Sequence, residues 1–188
     1  MKEKIRQALS QREKRRIIDL NAIPAAVLIP IFEKDGEDHI LFTKRTDTVE
    51  HHKGQISFPG GGRDKEDETL LHTALRESHE EVGILPDDVE VLGDLDDEKT
   101  HVSNYIISPY VGVIPYPYPF KISPDEVQEL LEIPISALLD KANFREEIQT
   151  SGDKRYRAFY YHYKNEVIWG ATSRILKRFF DMVCSVGN

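Results

Sequence analysis

The sequence GRDKEDETLLHTALRESHEEVGI, residues 62–84, places a glycine-opened loop before a segment that carries an arginine and three closely spaced glutamates. Its spacing predicts a helix over residues 69–82, on which Glu77, Glu80 and Glu81 stand at i, i+3 and i+4, so three carboxylates share one face. Left alone, that face opposes folding. Like charges at these spacings cost about a few tenths of a kcal/mol each on an exposed helix, and more where water is excluded. A divalent cation reverses the sign, because carboxylate oxygens are the hard ligands that Mg²⁺ takes while it keeps several waters and shares its remaining positions with substrate phosphates. Arg76 lies one turn before Glu80 and can orient it. Leu71, Ala74, Leu75, Ser78 and Val82 form the core-facing stripe. Gly83 is placed to close the helix in a left-handed conformation.

A run such as RESHEE is most often the solvated face of a surface helix, and the residues upstream argue otherwise here. Phe58-Pro59-Gly60-Gly61-Gly62 gives a rigid turn and then three residues without side chains, which lets backbone approach a phosphate closely. Arg45 ends an expected strand beside that loop, where an anion contact suits it.

The loop and helix resemble the Nudix box, G-x5-E-x7-R-E-U-x-E-E-x-G-U with U apolar. The match runs through Gly62, Glu68, Arg76, Glu77, Glu80, Glu81, Gly83 and Ile84 and departs at Ser78, where the pattern has an aliphatic residue. Upstream, Leu41 to Thr46 and Val49 to Gly61 are similar to the extra motif of the coenzyme A pyrophosphatase branch, roughly LLTxR(S/T)xxLRxHxGQ(V/I)xFPGG. Arg45, His52, Gly54 and Gln55 fall on its spaced positions, and Glu50 stands where the branch has arginine. Ile168-Trp169-Gly170-Ala171-Thr172 resembles the IWGxTA that opens that branch's last helix.

The resemblance implies a single Nudix hydrolase domain over residues 1–188, with an N-terminal helical extension over residues 1–20. It implies an α/β fold, the Nudix α/β/α sandwich with a mixed sheet. It further implies a diphosphatase acting on acid anhydrides, which would cut coenzyme A and its derivatives to adenosine 3′,5′-bisphosphate and 4′-phosphopantetheine. Glu77, Glu80 and Glu81 would bind Mg²⁺ or Mn²⁺, Arg76 would orient them, and Glu68 with Gly83 would support the loop and helix. Arg45, His52, Gln55 and the backbone of Gly60, Gly61 and Gly62 would meet substrate. Glu126, Glu146 and Glu147 are all open as the base. ADP-ribose, a dinucleoside polyphosphate or a damaged nucleotide are alternative substrates. A Nudix-fold sensor without turnover is the alternative of another class, although such proteins often lose acids that this chain keeps.

Composition agrees with one enzyme domain. The 188 residues suit a single unit with a sizeable core, and the formal net charge of −8 argues against a broad nucleic-acid surface. Positive charge for an anionic substrate must then be local, from metal and from Arg45, Lys53 and Arg63. One cysteine, Cys184, excludes an internal disulfide. No long uncharged apolar run appears, so the reading is a soluble cytoplasmic protein with a small-molecule partner, no nucleic acid and no membrane; a homodimer is allowed.

The remaining elements follow from pattern. A basic surface helix is expected over residues 2–17 with Ile5, Leu9 and Ile17 inward and its Lys and Arg solvated. Strands are expected over residues 25–32, 39–43, 89–95, 106–113, 127–133, 144–149 and 157–162, a short helix over 134–139, and a closing helix from Ala171. Trp169, just before a helix with Ile175, Leu176, Phe179 and Val183 at helical spacing, reads as core. Tyr116, Tyr118 and Phe120 read as a half-buried edge segment in preference to an adenine platform.

Overall fold

The computed structural model describes residues 1–46, 54–100, 103–151 and 154–185. Strand β1 (Ile23–Lys34) is the axis of the main sheet. Its Ile29 and Ile31 face one core while Leu28 and Phe32 alternate to the opposite side, so an almost unbroken apolar run is buried on both faces. Asp35 and Gly36, both at positive φ, turn it into β2 (Glu37–Arg45).

The two strands pair only near this turn, from Ile31↔Ile40 to Lys34↔Glu37, and then part. Into the gap go β3 (Ile56–Ser57), paired with Thr43 and Lys44, and β4 (Gly60–Gly62), paired with Ala25, Ala26 and Val27. The phosphate-directed loop is therefore held as sheet between β1 and β2. Beyond it, β5 (Glu90–Asp94) and β6 (Glu98–Lys99) pair with β7 (Tyr105–Val113), which runs parallel to β1, and β8 (Val127–Pro134) pairs with β2.

Helix α2 (Leu70–Val82) covers one face. The other carries α1 (Lys2–Ser10), α3 (Ile135–Leu139) and α4 (Gly170–Ser185), together with a small antiparallel sheet of β9 (Phe144–Ser151), β10 (Lys154–Tyr163) and β11 (Glu166–Ile168). The result is the expected α/β/α arrangement with a mixed sheet, and the second sheet is an addition to it. No helix among the described residues is long and apolar enough to cross a membrane. Cys184 is exposed near the end of α4.

One element is shorter than expected. The N-terminal helix stops at Ser10 instead of continuing to residue 17. Beyond it the backbone N–H of Arg15 donates to Asp96 at 2.9 Å and that of Ile17 to Asp97 at 3.0 Å. These amides find carboxylates where a helix would offer carbonyls. The basic side chains follow them: Lys14 is buried between Asp94 and Asp97, and Arg12 pairs with Asp96. The expected solvated face is here a strap laid over an acidic loop. Ile5 and Leu9 are buried as expected.

Candidate active site

Helix α2 begins at Thr69, whose hydroxyl accepts from the His72 N–H at 3.1 Å, and ends at Gly83 with φ 77°. Ser78 is fully buried, and its hydroxyl donates to the Ala74 carbonyl at 2.6 Å, so a polar side chain in an aliphatic position is satisfied within its own helix. The three glutamates do not share one environment. Glu81 is 3% exposed, Glu77 is half-buried, and the Glu80 side chain is 54% exposed.

Asp67 sets the frame. It is 2% exposed and accepts from Arg76 Nε and Nη2, both at 2.9 Å, from the Asp64 N–H at 2.9 Å and from the Thr73 hydroxyl at 2.8 Å. The Arg76 guanidinium holds this carboxyl well below the usual range, and Asp67 in turn keeps Arg76 charged. Fixed from behind, Arg76 reaches Glu77 and Glu80 through Nη1, each at 2.9 Å, and the Gly62 carbonyl through Nη2. Arg76 thus ties Glu77 and Glu80 to Asp67, a residue that no local sequence signal marks. Glu68 next door is exposed; its carbonyl accepts from Arg63, as does that of Asp67. Arg63, expected to lend charge to substrate, braces the loop.

Burial pushes the Glu81 carboxyl up to about 8, with the charges of Glu126 and Glu77 adding and the Gly60 N–H and Arg45 opposing. Burial also raises Glu77, against the pull of Arg76. The Gly60 N–H donates to Glu81 at 3.1 Å, so this amide of the glycine strand draws a helix carboxylate in.

Gly60 and Gly61 are glycine for different reasons. At Gly60, with φ 150°, a Cβ would lie 2.3 Å from the Ala26 carbonyl oxygen, a clash with backbone. At Gly61 it would lie 2.5 Å from the Glu77 carboxylate, the movable end of a side chain. Gly61→Ala is therefore expected to leave thermal stability within about 1 kcal/mol of the parent while displacing Glu77 and lowering kcat about tenfold. Parental kcat in a folded Gly61→Ala protein would remove Glu77 from the machinery.

The glycine strand and the helix form one end of a cleft of about 930 Å³. Arg45, Gln55, Glu77, Glu81, Glu126 and Gly60 to Gly62 line it, joined by Tyr105 from β7 and by Tyr156, Phe159, Tyr160, Trp169 and Arg174 from the last third of the chain. Among the described residues, Arg45 Nε is buried with no hydrogen-bond partner. His52, Glu50 and Lys53 lie outside the described residues. Of the three candidate bases, only Glu126 lines the cleft; Glu146 pairs with Arg157 on the small sheet.

Trp169 corrects an expectation. It is 48% exposed and faces the cleft, not the core. Tyr116, Tyr118 and Phe120 behave as the edge segment they resembled: Tyr116 stacks on Phe32 at 4.9 Å, and the Tyr118 hydroxyl donates to Asp88 at 2.7 Å.

Comparison with known proteins meets this geometry at the same residues. The family described as NUDIX domain matches residues 22–151, which include the glycine strand, α2 and Asp67. The chain belongs to the Nudix family. It is 35% identical over 159 residues to a protein of Photorhabdus laumondii named "Uncharacterized Nudix hydrolase NudL", covering 85% of this chain and 84% of that one. It is 39% identical over 160 residues to a protein of the same name from Yersinia pestis, covering 85% and 79%. Among solved structures, a MutT/Nudix family protein from Enterococcus faecalis superposes with TM-score 0.57 at 12% identity over 94% of this chain and 66% of that chain. A C. elegans Ap4A hydrolase superposes with TM-score 0.51 at 17% identity, covering 61% and 81%. These two show the Nudix fold.

Nudix hydrolases generally use divalent metal ions, and the residues fit one. The donors it would take are hard carboxylate oxygens, and two candidates, Glu77 and Glu81, have acidities weakened by burial, the environment that a nearby cation relieves. Among the described residues no three His, Cys, Asp or Glu side chains converge as a ligand cluster; Glu77 and Glu80 are both turned to Arg76.

Proposed function

We propose that this Nudix hydrolase is a metal-dependent pyrophosphohydrolase that cuts coenzyme A and its derivatives to adenosine 3′,5′-bisphosphate and a 4′-phosphopantetheine product, with Mg²⁺ or Mn²⁺ as the ion. One observation carries the reading. The upstream segment with Arg45 and Gln55, the glycine strand and helix with Gly60 and Glu81, and a segment about 90 residues further on with Trp169 and Thr172 meet around a single cleft. Gln55 Nε2 lies 3.2 Å from where a Cβ on Gly170 would stand, so the upstream and downstream motifs touch. A volume of about 930 Å³ exceeds what a diphosphate needs and suits a substrate with bulky groups on both sides of it.

Glu77, Glu80 and Glu81 would hold the ion, with Arg76 as their positioning residue. When bound there, the ion would supply charge neutralisation for the diphosphate and a lowered pKa for the attacking water. Glu126 lines the cleft and its charge bears on both Glu77 and Glu81, which supports it as the base whose carboxylate oxygen would take the water's proton. Arg45 supplies positive charge at the cleft wall.

Chromatographic assay at matched Mg²⁺ tests the substrate. Coenzyme A or a thioester of it is expected to be hydrolysed with a higher kcat/KM than ADP-ribose or a nucleoside triphosphate. ADP-ribose exceeding coenzyme A about tenfold, roughly 1.4 kcal/mol of transition-state preference, would overturn the substrate and leave the hydrolase reading intact.

A further inference from the structure

We infer that the aromatic end of the cleft is a subsite for a planar base whose sugar carries an extra phosphate, with Trp169, Tyr156 and Tyr160 taking the ring and Arg174 taking the phosphate. The inference deepens the coenzyme A reading and rests on it for the choice of ligand.

The cleft is lined by two chemically different sets of residues. Glycines and acids from residues 60–81 make one, and aromatic residues from β10 and the approach to α4 make the other. The family match covers residues 22–151, so the first set lies inside it while Tyr156, Tyr160, Trp169 and Arg174 all lie beyond it. Diphosphate chemistry belongs to the part inside the family match, and the wall of rings lies outside it.

The rings are held. The Tyr156 hydroxyl donates to Gln149 Oε1 at 2.8 Å, and Gln149 Nε2 donates to the Tyr160 hydroxyl across the β9–β10 pair. With these hydroxyls engaged within the hairpin, ring surface is what the wall presents. Trp169 leaves about half its surface open at the same cleft. A stacked base would cover it, and stacking of this kind is sequence-tolerant but demands a flat ligand.

Arg174 adds charge. Its Nε donates to Glu98 Oε1 at 2.5 Å, and Arg178 Nη2 lies 2.9 Å from the other oxygen of that buried carboxylate. Two guanidinium groups on one carboxylate leave one positive charge in excess. Arg174 is the member that lines the cleft, and its planar fork suits a phosphate.

Trp169 is the only tryptophan of the chain, so its emission reports this end alone. Adenosine 3′,5′-bisphosphate and AMP, which contain no diphosphate to hydrolyse, are the probes. Both are expected to change Trp169 fluorescence saturably, the bisphosphate about tenfold tighter, and 4′-phosphopantetheine is expected to leave it unchanged. Arg174→Gln should remove the tenfold preference. Because that change leaves Glu98 less compensated, the double variant Glu98→Gln with Arg174→Gln is measured beside it and should lose the same preference. A parent that shows no saturable change, equal affinity for the two nucleotides, or a response to 4′-phosphopantetheine overturns the subsite, as does a preference retained in both variants. Coenzyme A hydrolysed without any fluorescence response would sink the subsite alone. A response with the expected discrimination but no coenzyme A hydrolysis would sustain the subsite and sink the substrate reading.

Discussion

Glu81→Gln is expected to cut turnover by about a hundredfold or more while the protein still folds, a loss of several kcal/mol of transition-state stabilisation. The amide keeps the shape of the carboxylate and an oxygen for the Gly60 N–H, so the glycine strand stays docked, and only the charge is lost. Glu80→Gln should fall as far if Glu80 leaves Arg76 for the ion. Parental activity in both would end the assignment of α2 as the metal face. The metal-free protein supplies an independent readout. Glu81 has an ordinary value of 4.5 and is pushed up to about 8 by burial, so the folded state favours the protonated form. Stability is greatest below the ordinary value and falls as pH rises through 8, because ionising a buried acid works against folding. In chelator, Glu81→Gln should flatten that decline and raise Tm at pH 8 by about 5 °C. A metal-free parent with a flat melting profile from pH 5 to 9 would contradict the burial argument even if activity were lost.

The helix of this site was legible because its signals are local. A hydroxyl cap at Thr69, a glycine at Gly83 and acids at fixed spacing need no knowledge of the rest of the chain. What spacing could not resolve was how the helix is rotated against the sheet. At about 100° per residue, Glu81 lies about 40° to one side of Glu77 and Glu80 about 60° to the other. Burial takes Glu81 and leaves Glu80 in solvent. Asp67 was illegible for a different reason: it stands in a loop of six consecutive charged residues, 63–68, and no periodicity distinguishes the carboxylate that turns inward from Glu68, which does not. Trp169 was misread by a sound rule, since a tryptophan before an amphipathic helix usually packs with it. Here the helix fills its core with Ile175, Leu176 and Phe179, and the small sheet leaves Trp169 at the cleft. The strap over residues 11–17 depends on carboxylates about 80 residues away in sequence, beyond the reach of any local pattern.

Asp67→Ala should be the most destabilising single change near the site, and also an inactivating one. It removes the acceptor of two hydrogen bonds from Arg76, one from Thr73 and one from a backbone amide, and leaves a partly buried guanidinium without its carboxylate. Removing one partner of a buried pair costs about 3–5 kcal/mol, which for a chain of this size lowers Tm by roughly 10 °C or more. Turnover should fall at least tenfold at temperatures where the variant is folded, because Arg76 loses the contact that aims it at Glu77 and Glu80. Asp67→Asn separates charge from shape. It keeps one acceptor but turns an amide toward donors, so it too should be less stable at neutral pH. The pH dependence gives the sign. Asp67 is depressed in the folded state by Arg76, so its contribution is fully present above the ordinary carboxylate value of 3.8 and drains away as pH falls below it. The stability gap between parent and Asp67→Asn, measured by urea denaturation, should be wide at pH 7 and narrow steadily toward pH 2.5. A gap that is constant with pH would mean that packing around Asp67 matters and its charge does not. An Asn variant as stable and active as the parent would show that Arg76 needs no anchor.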